Sequence, residues 1–283
     1  MLRLYQYLSY TLVPIIFLNL YFRIINNKED KNRYKERFGK TNFNNESSKK
    51  RIWLHAASVG EFKSCDLIIE KYYKDFHILV TTTTKSSAEY INKYYYNKVI
   101  HQYIPFDVPS WCSKFIYHWK PSLVLWIESD IWPNMLKIIR DKKIKSFFIN
   151  ARISPRSFKK WKNLKKLYSI SLSTFDKIYA QSPNDLNRIK ILSNLSVDYI
   201  GNLKLSNNLK NKINQNNKKK FSIMLASTHK SEEEIILKNL KQIINRYQLK
   251  LCIAPRHPER IIHISKFLIK NDFSYSLDSE EKN

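Results

Sequence analysis

The residues best placed to do chemistry in this chain are polar groups that follow apolar, strand-like runs. Glu61 comes directly after Gly60 in "IWLHAASVGEF", where such a run ends at small residues before a helical pattern begins. Glu128 and Asp130 close another run in "LVLWIESDIWPN". A carboxylate in an apolar setting costs free energy unless it is paired, and one facing a cleft can take a proton as a general base. Both features of the first stretch also have a plainer reading. Gly60 would ease a tight turn from strand to helix, and Glu61 would favour the positive end of the helix it opens. Cationic candidates lie in comparable places: Lys204 in "GNLK", and Arg256 with His257 after Pro255 in "APRHPER". Such side chains suit a phosphate, although Arg256 and His257 also read as ordinary surface charge.

Other chemistries find little support. There is no GxGxxG or Walker loop, and no HExxH or Cys/His cluster, so neither a dinucleotide nor a metal is expected. Cys65, Cys112 and Cys252 fit no metal spacing and read as apolar filling in a reducing compartment.

The elements that must position these groups alternate regularly. Strand-like runs fall at 51–57, 76–83, 98–105, 123–128, 146–152, 177–182 and 197–202. Helical patterns lie between them, at 61–73, 85–95, 109–118, 132–142, 157–171 and 183–191. Short, continuously apolar strands alternating with amphipathic helices imply a parallel sheet covered on both faces. The Asn- and Lys-rich stretch 204–220 reads as a linker carrying a short helix. The alternation then restarts with strands at 221–228, 249–256 and 273–279, too few to complete a second doubly wound domain.

The chain carries 50 Lys and Arg against 24 Asp and Glu, a net charge of +26. This balance points to an anionic partner, a membrane surface or nucleic acid. It is also what Lys-, Asn- and Ile-rich coding produces by itself, and the lysines are spread along the chain. The first 27 residues hold no acid before a basic stretch at 28–50. Their length approaches the roughly 20 residues of a bilayer span. Gln6, Ser9, Asn19 and scattered tyrosines weaken them as a deep span. An uncleaved anchor that spans or lies in the interface is expected, with a buried amphipathic helix as the other reading.

The segments "WLHAASVGE", "ILVTTTTKSSAE", "YIPFDVP", "WIESDIWPN", "INARIS", "AQS", "GNLK", "ASTHKSEEE" and "APRHPER" occur in this order. Together they resemble the bacterial 3-deoxy-D-manno-octulosonic acid (Kdo) transferases of glycosyltransferase family 30. The likeness runs from the N-terminal helix to about Arg260. It implies a GT-B fold of two Rossmann-like domains facing a cleft, here 51–205 for the acceptor and 221–283 for the donor, joined by 206–220. It implies transfer of Kdo from CMP-Kdo to the lipid A precursor lipid IVA, with inversion and no metal, at the cytoplasmic face of the inner membrane. Glu61 corresponds to the family's catalytic base, with Ser58 and Gly60 on the acceptor side. Glu128 or Asp130, with Lys204, corresponds to the groups that stabilise the transition state. Glu128 is favoured because Asp130 replaces the family's usual Glu. Pro255 and Arg256, with His257 adjacent, correspond to the CMP site. The family's later donor motifs would follow Asn283, so a truncated second domain and weak or no activity of this chain alone are expected. A nucleic-acid-binding protein, or a GT-B enzyme with another donor, is the alternative.

Overall fold

Strand β1 (Arg51–His55) is buried along its whole length because it lies inside a sheet. Trp53 packs into one apolar cluster, while Ile52 and Leu54 pack into another on the opposite face. The computed structural model describes residues 1–43, 49–128, 130–206 and 222–277. The chain divides into two compact units, Met1–Lys212 and Ile213–Asn283.

In the first unit β1 is joined by β2 (His77–Thr82), β3 (Ile100–Tyr103), β4 (Leu123–Ile127), β5 (Lys145–Ala151), β6 (Lys177–Ala180) and β7 (Asp198–Tyr199). They form one parallel sheet in the order β3-β2-β1-β4-β5-β6-β7. This is the doubly wound arrangement, with helices on both faces. The helical patterns read from sequence all form, but two of them break. The first becomes α3 (Val59–Lys63) and α4 (Asp66–Tyr72), and a later one becomes α8 (Pro155–Asn163) and α9 (Lys165–Leu172). Between them lie α5 (Lys85–Tyr95), α6 (Pro109–Trp119) and α7 (Pro133–Asp141). Helix α10 (Pro183–Ser193) and the short α11 (Leu203–Ser206) complete the unit.

The N-terminus differs from the single anchor helix expected. It is a pair, α1 (Leu2–Thr11) and α2 (Val13–Ile25), bent by 56°. Pro14 at the start of α2 explains the bend, since its ring excludes the Tyr10 carbonyl and it has no N–H to donate. No single helix among the described residues is long and apolar enough to cross a membrane; the bent pair has the length and composition. α1 is docked: Tyr5 Oη donates to Asp107 Oδ2 at 3.0 Å and Asn134 Nδ2 donates to Ser9 Oγ at 3.2 Å. Asp107 also accepts the backbone N–H groups of Asn134 and Met135, capping α7 from another strand end.

The stretch 28–50 is not simply a linker. Residues 34–38 form a 3-10 turn in which Glu36 and Arg37 are buried. Arg37 pairs with buried Glu29 at 2.9 Å and donates to the Thr83 and Ile104 carbonyls. Glu36 accepts the Tyr103 N–H. The charges read as a basic juxtamembrane run therefore tie this turn to the carboxyl ends of β2 and β3.

The second unit is smaller. β8 (Ser222–Thr228) and β9 (Lys250–Pro255) pair in parallel, with α12 (Glu232–Tyr247) and α13 (Ile261–Lys270) packed through Leu237, Ile264 and Leu268. Of the strand expected at 273–279, residues 273–277 have no regular structure and 278–279 lie outside the described residues. The expected linker beyond Ser206 also lies outside them.

Candidate active site

β1 and β4 are hydrogen-bonded neighbours although β2 and β3 come between them in the chain. The sheet order therefore reverses between β1 and β4. In open α/β sheets ligands bind beyond the carboxyl ends of the strands at such a switch point. Glu61 follows β1 and Glu128 follows β4, so the two carboxylates come from the two strands that flank it.

Ser58 caps α3, accepting the Glu61 N–H at 3.3 Å. Glu61 in turn reaches back, its Oε2 accepting the Ala57 N–H at 2.6 Å. This is a capping box displaced by one residue. The helix-end reading of Glu61 is thus part of its role, yet Oε1 accepts no hydrogen bond among the described residues. The residue is 7% exposed. Burial pushes its carboxyl up to about 7; Glu128 and Asp130 push the same way, while the Ala57 N–H and Lys204 oppose them.

Gly60 is not required by the turn. Its backbone is outside the left-handed region, and among the described residues an added Cβ would meet only Ser58 Oγ, at 3.9 Å. The tight-turn reading of this glycine therefore falls away.

Glu128 is held in a left-handed conformation, φ 64°, costly for a residue with a long side chain. Backbone hydrogen bonds from its N–H to Ile149 and to its carbonyl from Arg152 hold it there. The side chain is buried, and Lys204 Nζ lies 2.5 Å from its Oε1. Asn150, itself left-handed at φ 56°, joins the pair: Nδ2 donates to Glu128 Oε1 at 3.3 Å and Oδ1 accepts the Leu203 N–H at 3.1 Å. Asp130 is more exposed, and its Oδ2 faces the buried His55 Nε2 at 3.8 Å. Among the described residues that His55 nitrogen has no hydrogen-bond partner, while Nδ1 meets Thr81 Oγ1 at 3.0 Å.

His55 and Asn150 were not among the site residues read from sequence. The signal for each was present, a histidine inside an apolar strand and an asparagine ending one. Among the described residues no three His, Cys, Asp or Glu side chains stand together as metal ligands would.

Pro255, Arg256 and His257 lie in the second unit, at the carboxyl end of β9. The Arg256 N–H donates to the Thr228 carbonyl at 3.0 Å, and its guanidinium makes no ion pair among the described residues. His257 is exposed, 3.7 Å from Glu259. Beside them Arg260 pairs with buried Glu233 at 2.7 Å and donates to the Thr228 carbonyl.

These features define a doubly wound α/β enzyme with a carboxylate–lysine cluster at its switch point. Residues 32–207 match the family described as 3-deoxy-D-manno-octulosonic-acid transferase (kdotransferase), and the chain belongs to that family. It is a glycosyltransferase of the Kdo-transferase kind. The 3-deoxy-D-manno-octulosonic acid transferase of Rickettsia bellii is 36% identical, covering 99% of this chain and 69% of that one. The corresponding protein of Rickettsia felis is 33% identical, covering 100% of this chain and 72% of its own length. A UDP-GlcNAc 2-epimerase from Neisseria meningitidis, solved with UDP-GlcNAc, superposes with a TM-score of 0.55 at 12% identity, over 78% of this chain and 69% of that one. That likeness is one of fold: two α/β sheets of the GT-B-like kind, the second smaller here.

Proposed function

We propose that the chain transfers Kdo from CMP-Kdo to the lipid A precursor lipid IVA, with inversion and with Glu61 as general base. The observation that carries this reading is the Glu61 carboxylate, buried at the switch point with Oε1 open and a pKa near neutrality. A base with a pKa near the working pH combines a useful fraction of ionised form with a strong pull on the proton. The acceptor hydroxyl gives its proton to Glu61 as its oxygen bonds to the anomeric carbon of Kdo. The bond from that carbon to the CMP phosphate oxygen breaks, and its electron pair leaves with CMP. The anomeric carbon passes through an oxocarbenium-like state, so the base and the leaving group act on opposite faces.

Lys204, positioned by Glu128 and Asn150, offsets charge that develops at the reacting centre. A monoester leaves without a diphosphate to chelate, so this chemistry needs no metal ion. The first unit takes the acceptor, with Ser58 and Gly60 on its side, and the second takes CMP through Pro255, Arg256 and His257. α1 and α2 hold the protein at the cytoplasmic face of the inner membrane. Their exposed Leu4, Leu8, Ile15, Phe17, Leu18 and Phe22 enter the headgroup boundary, aided by the net positive charge.

The test is a transfer assay with CMP-Kdo and lipid IVA. Transfer by the wild-type chain, and its loss in a folded Glu61→Gln variant, is the expected result. Near-normal transfer by Glu61→Gln returns Glu61 to helix capping alone.

A further inference from the structure

A cavity of about 240 Å³ opens beside the carboxylate cluster but shares none of its residues. Ile131, Arg152, Ser154, Ser157, Trp161 and Tyr168 are among its lining residues. It is continuous with the site in the chain: Ile131 follows Asp130, and the Arg152 N–H donates to the Glu128 carbonyl at 3.0 Å. We infer that this cavity is a subsite for one phosphorylated sugar ring, that of the acceptor.

The lining has the chemistry for such a ring. The Arg152 guanidinium is exposed and makes no ion pair or hydrogen bond among the described residues, which leaves its fork of donors for a phosphate. Ser154 Oγ is already engaged, accepting the Ser157 N–H at 3.1 Å and donating to Ser157 Oγ at 3.0 Å. The Ser157 hydroxyl therefore keeps its own proton to donate into the cavity. Trp161 is half-buried against Tyr168, ring centroids 5.0 Å apart, and offers an apolar face for the C–H side of a pyranose. Residues 142–175, which supply most of the lining, include no acid; the nearest acids on its walls are Asp185, bound to the Ile153 N–H, and Asp130, which precedes Ile131.

The walls are fixed in advance. Buried Asp185 of α10 accepts the Ile153 N–H at 2.9 Å, and Arg188 donates to the Ile153 carbonyl at 3.2 Å. A loop held in this way loses little conformational freedom when it binds. The volume falls below the roughly 300–1,000 Å³ of pockets for drug-sized ligands. It suits one ring, with the rest of a larger acceptor outside.

The identity of the ring's owner rests on the glycosyl-transfer reading; the sugar-phosphate chemistry does not. The test therefore has a binding arm and a kinetic arm, both on the full chain. In the first, saturation-transfer NMR follows glucosamine 1-phosphate, glucosamine and inorganic phosphate. Wild type is expected to bind the sugar phosphate at least tenfold more tightly than either fragment. Arg152→Met should abolish that preference, and Trp161→Ala should weaken it with the circular dichroism spectrum retained. In the second, Arg152→Met should raise the acceptor KM tenfold or more for phosphorylated lipid acceptor, leave it unchanged for dephosphorylated acceptor, and leave the CMP-Kdo KM alone. Binding of the sugar phosphate without any transfer by wild type supports the cavity and sinks the transfer reading instead. Full phosphate preference in Arg152→Met overturns the subsite, as does a rise confined to the CMP-Kdo KM, which would assign the arginine to the donor's carboxylate.

Discussion

Lys204 Nζ lies 2.5 Å from Glu128 Oε1, joining two residues far apart in the chain at the carboxyl end of β4. Asn150 binds Glu128 through its amide nitrogen and the Leu203 backbone through its oxygen, so it holds both halves of the pair. The pair also sets the electrostatic surroundings of Glu61, where its two members act in opposite directions.

The acid limb of transfer should follow Glu61. Its carboxyl, pushed up to about 7 chiefly by burial, must be ionised to act as a base. kcat/KM should therefore rise as pH increases through about 7. Lys204→Met removes a cation that favours the ionised form and should move the limb to higher pH. Glu128→Gln removes a repelling charge and should move it lower. Profiles that shift in the same direction for both variants would dissociate Glu61 from this limb.

Glu61→Gln should trade activity for stability. A folded-state pKa above the ordinary 4.5 means that Glu61 favours folding fully below pH 4.5 and that this contribution is lost as pH rises through about 7. Removing the charge should thus stabilise the protein at pH 8, by about 3 kcal/mol at most, and change little at pH 4. Transfer should fall by about 10²–10⁴-fold. Thermal melts at the two pH values, set beside initial rates, check both halves.

Gly60→Ala separates fold from ligand. The site has room for a Cβ and no left-handed backbone, so stability should hold or rise by about 0.5–1 kcal/mol. A raised acceptor KM with an unchanged melting temperature would show that the glycine serves the approach of a ligand. An unchanged KM would leave it without a role in binding.

Tyr5→Phe should loosen α1. The hydroxyl that donates to Asp107 is lost, at a cost of about 1–2 kcal/mol. Limited proteolysis should cut within α1 sooner, while kcat in detergent stays the same. Unchanged protection of α1 would mean that its docking rests on other contacts.

Arg256→Ala should raise the KM for CMP-Kdo and leave that for the acceptor alone. Its guanidinium has no protein partner to stabilise among the described residues, so the melting temperature should not move. A drop in melting temperature with both KM values unchanged would make Arg256 structural.

Much of the fold could be read from the chain because it depends on local periodicity. Continuous apolar runs such as "RIWLH" and "LVLWI" mark strands covered on both faces, and Thr84, Ser154 and Ser182 each cap the helix that follows. What escaped was long-range. The basic stretch around Arg37 looked like solvated charge because its partners, Glu29 and the Thr83 and Ile104 carbonyls, become neighbours only in the folded unit. The composition of the N-terminal stretch reads as one continuous apolar helix, and Pro14 alone signals the bend between α1 and α2.

The family, the alternation of strand and helix, and the candidate acids and bases are legible in the sequence, since these depend on residue type and order. The sequence also placed a glycine before Glu61 but could not explain it. The pairing of β1 with β4 exists only in the folded chain, and it brings Glu61 to the same crevice as Glu128 and Lys204. Only there does burial lift the Glu61 carboxyl toward neutrality, because desolvation and the charges of distant residues exist only once the chain has closed around them.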